Sequence, residues 1–311
     1  MIWHLFQFFL TLVLTILLYP LFISMLKKLN FGQYIREEGP DLHGYKTGTP
    51  TAGGLLFILI PSLVMLGDGS RGLYTSELLS VIIFGAIGFI DDLLSVIKKH
   101  ATGLKGYQKI ILQVLGSFVL LWLMKNPVLE RQYVPVFGDF NFGSWIYPLA
   151  FVGIVGASNA VNLTDGIDGL AGWNFVITVG MMEFLALLRF GLEVDLYLLL
   201  TSAGVLGFLW YNSKPARVFM GDTGSLALGA LLAVSAIRQG LLLYLVFMGA
   251  IFVLETLSVI IQVTSYKLRR KRVFLMAPVH HHFELKGWKE ETIVFRSLIL
   301  ALMIGVLGMS L

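Results

Sequence analysis

The sequence predicts an all-α integral membrane protein, a single polytopic domain over residues 1–311 with about ten transmembrane helices. Two compositional observations and one of placement predict it. Of 311 residues, 57% are hydrophobic and 14% charged, against about 45–50% and about 25% in an ordinary soluble domain. Mean hydropathy is +0.81, so most of the chain has no polar face for water, which excludes a soluble enzyme, a disordered segment, a collagen and a nucleic-acid-binding arm. The basic residues, finally, sort into alternate loops. The absence of cysteine removes thiol nucleophiles, thiolate zinc, iron–sulfur clusters and disulfides.

A bilayer core needs about 20 apolar residues per helix, and the chain divides into apolar runs at 2–26, 51–67, 78–97, 110–124, 146–161, 169–190, 196–210, 223–237, 241–263 and 293–311. Unbroken Leu/Ile/Val/Phe stretches without period-two alternation read as helices, because lipid leaves no other partner for the backbone. The first run has no basic residue before it, Lys27 and Lys28 after it and no small-residue cleavage site, so a retained span is expected and not a signal peptide. Of the 23 Lys and Arg, 18 fall in loops 27–50, 98–109, 162–168, 211–222 and 264–296. The positive-inside rule makes these cytoplasmic and puts both termini outside. On the other side only 125–145 is long; Tyr133 to Gly143 alternates apolar residues around Gly138-Asp139 and predicts a short periplasmic hairpin lying on the membrane.

Four polar segments share the cytoplasmic side. Gly88-Phe89-Ile90-Asp91-Asp92 lies within an apolar run, where carboxylates are costly and mark a site facing the bundle interior. Neighbours on a helix point about 100° apart, so one aspartate is free for chemistry while the other meets a metal or a lysine; the bland alternative is pairing with Lys98 and Lys99. In Asn162-Leu163-Thr164-Asp165-Gly166-Ile167-Asp168-Gly169, helical spacing would put Asn162, Asp165 and Asp168 on one face, and a plain turn is the alternative. In Tyr211 to Ser225, Asp222 opens a helix as an N-cap, and the free N–H groups beside it offer a phosphate site while the carboxylate suits Mg²⁺. Asn212 and Phe219 suit reading and stacking a base. In Ala277 to Glu284, consecutive His280, His281 and His282 project in different directions, which suits phosphate contacts better than a three-histidine zinc site.

Lys46 to Gly54, with Thr51, reads as a phosphate-contacting loop before a helix. Lys267, Arg269, Arg270, Lys271 and Arg272 read as topogenic and lipid-facing. Glu183 and Glu255 lie within apolar runs, facing either a groove or a hydrogen-bonded interior. Carboxylates, a lysine loop, histidines and glycine turns on one face suit Mg²⁺-dependent handling of a pyrophosphate, with a lipid as one reactant.

The segments Lys46–Gly54, Gly88–Asp92, Asn162–Ala171, Tyr211–Leu226 and Ala277–Glu284, in order along nearly the whole chain, closely resemble the phospho-N-acetylmuramoyl-pentapeptide transferases (translocase I) of the polyprenyl-phosphate N-acetylhexosamine-1-phosphate transferase superfamily. The resemblance implies transfer of phospho-MurNAc-pentapeptide from UDP-MurNAc-pentapeptide to undecaprenyl phosphate, giving lipid I and UMP, with Mg²⁺ as cofactor. It implies Asp222 as the main metal ligand, with Asp91 and Asp92, and with Asp165 completing the acidic cluster. Asp168, Asn212, Phe219 and backbone near Leu163 and Gly166 would hold uridine; Lys46 and His280, His281 and His282 would serve phosphates. It further implies a curved ninth span with a groove for the polyprenyl chain, a homodimer, and a multi-pass location in the bacterial cytoplasmic (inner) membrane; no nucleic-acid partner is expected. Two departures stand out: Ser95 replaces the lysine usual four residues after the first aspartate, and Ala52 the methionine before the glycine pair. A lipid phosphate with a second pKa of about 6 is mostly dianionic at pH 7, which favours direct attack over a phospho-aspartyl intermediate. The alternatives are a related transferase for another UDP-sugar and a proton-coupled secondary transporter using Glu183 and Glu255.

Overall fold

The computed structural model describes residues 2–32, 46–68, 71–100, 102–124 and 127–311. The stretch 33–45 of the first basic loop, with Arg36, and Lys125 lie outside these residues. The described chain folds into helices α1 (Ile2–Lys28), α2 (Gly54–Leu66), α3 (Thr75–Lys98) and α4 (Gly106–Leu123), a hairpin of β1 (Arg131–Val134) and β2 (Gly138–Asn141), then α5 (Ile146–Thr164), α6 (Leu170–Phe190), α7 (Leu196–Asn212), α8 (Gly221–Arg238), α9 (Leu245–Met248), α10 (Ala250–Arg269), α11 (Val279–Leu285) and α12 (Glu290–Ser310). Seven of the described helices are long and apolar enough to cross a membrane, and α2 and α7 are shorter apolar helices.

Helix α8 is the axis of the bundle. Every residue from Thr223 to Ile237 is buried, and the stretch is rich in Gly, Ala and Ser, whose small side chains let neighbouring helices approach closely. Helices α3 and α5 lie along it, and α2 meets it where Gly54 faces Gly224. On α5, Ser158 donates to the Leu226 carbonyl at 3.1 Å, opposite Gly229. Large apolar side chains on the outer helices, such as Leu17, Trp122 and Phe295, are exposed, as expected of surfaces solvated by lipid chains.

Two expectations need correction. The run 241–263 is not one helix: α9 ends at Gly249, whose backbone leaves the helical region, and α10 starts afresh. The hairpin forms, but Gly138 and Asp139 belong to β2, paired with Val134 and Tyr133. The chain reverses at 135–137, where Val136 takes a positive φ of 72°.

The two ends of the bundle differ. At one, Arg238 forms ion pairs with Glu77 and, at 2.9 Å, with Asp195, both fully buried. Glu183 accepts from Gln239 Nε2 at 2.8 Å and from the Asp195 N–H at 2.9 Å, which is the hydrogen-bonded interior role. The hairpin docks at this same end, Tyr133 N–H donating to the Gly240 carbonyl at 2.7 Å. The opposite end gathers the C-termini of α3, α5 and α7 and the N-termini of α4, α8 and α12, and the carboxylates expected to do catalysis, Asp91, Asp92, Asp165 and Asp222, lie there.

Candidate active site

The close approach of α3 and α8 places the first carboxylates. A Cβ at Gly88 would run into the Asp222 carbonyl and come within 2.5 Å of the Thr223 nitrogen, so only glycine permits this contact. Asp92, four residues on, therefore reaches the start of α8. Its carboxylate accepts from the Asp222 N–H and the Thr223 N–H, each at 3.0 Å, and from Thr223 Oγ1 at 2.6 Å. Asp92 thus caps α8 from a neighbouring helix, a charge-assisted arrangement that also complements the helix dipole. This corrects the reading of Asp222 as the N-cap, since the cap position is Met220 and makes no side-chain bond. It also corrects the reading of that helix end as a phosphate cradle, because Asp92 already takes the N–H groups of Asp222 and Thr223.

Relieved of capping, Asp222 turns to Asn162 and Lys109. Its Oδ1 accepts from Asn162 Nδ2 at 2.8 Å, and the same amide donates to Ser225 Oγ at 2.9 Å. Asp91 accepts from the Leu104 N–H at 2.7 Å as the loop after α3 folds back, with Lys98 donating to the Gly103 carbonyl at 2.6 Å. Ser95 donates to the His100 carbonyl at 2.6 Å and so fastens the same loop. That loop delivers Lys109, whose ammonium pairs with Asp222 and lies 3.4 Å from Asp91. Asp91, Asp92 and Asp222 each present an oxygen, all within 4.8 Å of one another. Three convergent carboxylates are a donor set for a hard divalent cation.

The loop 165–169 joins this cluster to a second one. The helix stops at Thr164, so Asn162, Asp165 and Asp168 do not share a helical face as the spacing suggested. Asp165 is pushed well above the usual carboxylate range by burial and by the charges of Asp222, Asp92 and Asp168, against the opposing pull of Lys46. Asp168 turns away from Asn162: its carboxylate accepts from Lys46 Nζ at 2.6 Å and from the Ala216 N–H at 3.0 Å. Glu290, at the start of α12, accepts from Lys46 at 2.9 Å and from the Asp168 N–H at 3.2 Å, and pairs with Lys214. Burial alone would lower the Lys46 pKa; its bonds to Asp168 and Glu290 more than reverse that and raise it.

The remaining predicted residues line the same end. Asn212 is buried, accepting from the Gly169 N–H at 3.0 Å and donating to the Val218 carbonyl at 2.9 Å, so both ends of its amide hold backbone. Phe219 pairs through its backbone with Pro50 and Gly53, each at 2.8 Å, which fastens the Thr51 loop to the α7–α8 connection; Thr51 is buried and Ala52 adopts a positive φ of 59°. Leu163 is half-buried on the last turn of α5. The expected divergence of the three histidines is only partial: the His280 and His281 rings lie against each other, centroids 4.1 Å apart and planes tilted by 57°, while His282 packs edge-on to Phe274. His280 is buried with Nδ1 3.1 Å from Glu255, and its Nε2 packs on Gly166, where any Cβ would collide. His281 Nδ1 lies 2.7 Å from Glu284. His282 accepts from the Leu275 N–H at 3.1 Å, its pKa lowered by slight burial and by Lys286.

Five residues escaped sequence reasoning: Lys109, Lys214, Thr223, Ser225 and Glu290. Lys109 carried a usable signal, a lysine in the first turn of a helix where the macrodipole disfavours cations unless an anion faces it. Glu290 carried none, since an acid there is the ordinary choice.

Residues 74–240 match glycosyl transferase family 4, a stretch holding Asp91, Asp92, Asn162, Asp165, Asp168, Asn212, Phe219 and Asp222. Curated relatives named phospho-N-acetylmuramoyl-pentapeptide-transferase align over nearly the full length. The one from Kosmotoga olearia is 48% identical, covering 97% of this chain and 96% of that protein. Those from Thermotoga neapolitana and Clostridium botulinum are 47% and 44% identical, covering 95% and 93% of this chain and 98% and 90% of theirs. The chain belongs to the phospho-N-acetylmuramoyl-pentapeptide transferase family. It is accordingly an enzyme, a phosphotransferase of peptidoglycan synthesis. The full-length alignments also take in Lys46, Thr51 and the three histidines, which lie outside 74–240.

Proposed function

We propose that this protein transfers phospho-MurNAc-pentapeptide from UDP-MurNAc-pentapeptide to undecaprenyl phosphate, releasing UMP and forming lipid I, in a Mg²⁺-dependent reaction at the cytoplasmic face of the bacterial inner membrane. The observation that carries the reading is the convergence of Asp91, Asp92 and Asp222 at the ends of apolar helices, in a chain whose relatives bear the transferase name. The donor set is all oxygen, with one ammonium against three carboxylates, and suits Mg²⁺, which favours carboxylates shared with substrate phosphates. Asp222 and Asp91 would hold the ion, with Asp92 fixing the position of Asp222 through α8; when bound, the ion neutralises charge developing on the phosphoryl oxygens.

The chain's own groups do the rest by position. Lys46 and Lys214, set by Asp168 and Glu290, place positive charge beside the acidic cluster for the nucleotide's phosphates. The acceptor phosphate is mostly dianionic at pH 7, its second pKa being about 6, and so attacks directly, with Asp91 at hand for its residual proton. The loops carrying these groups are the ones the basic-residue count assigns to the cytoplasm, where the nucleotide is supplied. Radiolabelled UDP-MurNAc-pentapeptide and undecaprenyl phosphate in detergent test the reading. UMP release should require Mg²⁺ and vanish in Asp222→Asn, whereas metal-independent release, or a phospho-aspartyl enzyme formed without lipid, would refute the scheme.

A further inference from the structure

Lys109 stands where a metal would have to go. Its Nζ forms an ion pair with Asp222 and lies 3.4 Å from Asp91, two of the three residues whose oxygens converge within 4.8 Å. The side chain is 19% exposed, so water screens this charge poorly. The lysine also sits in the first turn of α4 (Gly106–Leu123), where the helix dipole opposes a cation. It is held there by the carboxylates across the gap and by the loop that Leu104 pins to Asp91.

From this arrangement we propose that Lys109 is an exchangeable counter-ion: it keeps Asp91 and Asp222 together while the site holds no metal, and it leaves Asp222 when a divalent cation binds. This rests on the Mg²⁺ reading above and goes beyond it. An ammonium and a divalent ion on the same carboxylate oxygen repel each other, so metal binding must break the Lys109–Asp222 pair. The flexible four-carbon stem of lysine lets the group swing aside without moving α4. Two consequences follow. Metal affinity in the wild type is weakened by the competing lysine, and removing the lysine leaves three carboxylates facing one another until a metal arrives.

The test is Mn²⁺ binding to the full-length protein in detergent, followed by electron paramagnetic resonance without nucleotide, beside thermal unfolding with EDTA or Mg²⁺. Lys109→Met should tighten Mn²⁺ binding about tenfold, equivalent to about 1.4 kcal/mol. Lys109→Arg keeps the charge and should stay within about twofold of wild type. In EDTA, Lys109→Met should melt below wild type and gain more from Mg²⁺ than wild type does. Lys109→Gln replaces Lys109→Met should the latter misfold. Binding to Lys109→Met no tighter than to wild type, with Asp222→Asn abolishing Mn²⁺ binding, overturns the exchange and leaves the metal reading standing. Absence of Mn²⁺ binding in wild type and both variants removes the metal reading and the exchange together.

Discussion

Gly88 is the narrowest point between α3 and the start of α8, and Gly88→Ala tests whether that contact sets the active-site geometry. The added Cβ would lie 2.5 Å from the Thr223 nitrogen, whereas ordinary contact begins at 3.4 Å, and it would also overlap the Asp222 carbonyl. Both obstacles are backbone, so the helices must part by about 1 Å, a displacement that typically costs about 100-fold in rate when it misplaces reacting groups. Overpacking of this kind also destabilises by about 1–3 kcal/mol. Because Asp92 holds Asp222 and Thr223 across this contact, the rate should suffer more than the fold. The assay is UMP release under saturating substrates, with thermal unfolding of the same preparation. Gly180→Ala is the control, as nothing lies within 4 Å of its added Cβ, and it should match wild type in both. A Gly88→Ala enzyme with activity within about threefold of wild type and an unchanged melting temperature would refute this account of how α3 positions Asp222.

Three further outcomes are expected. Glu290→Gln removes the charge that holds Lys46 and Lys214, and should raise KM for the nucleotide substrate about tenfold while changing kcat less than about threefold, a split read from initial rates. Arg238→Met strands Glu77 and Asp195 without their cation at the far end of the bundle; loss of one partner of a buried pair costs about 3–5 kcal/mol, so unfolding should come much earlier while the folded enzyme keeps its kcat. Asp165 has a folded pKa raised above its unfolded value. As pH rises past the unfolded value of about 4, the unfolded chain releases this proton first and stability is lost until pH passes the folded value. In metal-free buffer Asp165→Asn should therefore be more stable than wild type at pH 8, with the gap closing toward pH 4, as read from melting temperatures across that range.

The apolar runs were legible because hydropathy and helix length are set by the same bilayer, and nine of the ten correspond to single helices. The tenth, 241–263, hides its break because Gly249 is as compatible with an apolar run as with a helix end. In the hairpin, Gly138-Asp139 is a common turn pair, yet Val136 takes the positive φ, a placement settled by docking of Val136 N–H on the Leu311 carbonyl at 2.8 Å. Asp91 and Asp92 could be named because charge inside an apolar run has few other reasons to exist, and Asp222 because a carboxylate opening a helix suits Mg²⁺. Their division of labour could not. Asp222 in the first turn of a helix looks like a cap until a neighbouring helix supplies Asp92, and contacts between helices leave no mark on local spacing. Asp168 is a similar case: its distance from Asn162 in sequence suggested one face, but the chain leaves the helix at Asp165 and turns it toward Lys46.

The most direct test is a structure of the protein with Mg²⁺ and the nucleotide substrate, in which metal–oxygen distances are measured. Oxygens of Asp222 and Asp91 at about 2.0–2.1 Å from the ion, substrate phosphate oxygens completing its shell and Lys109 withdrawn from Asp222 are expected. An ion held by other residues, with Lys109 still paired to Asp222, would contradict a metal-assisted phosphoryl transfer at this site.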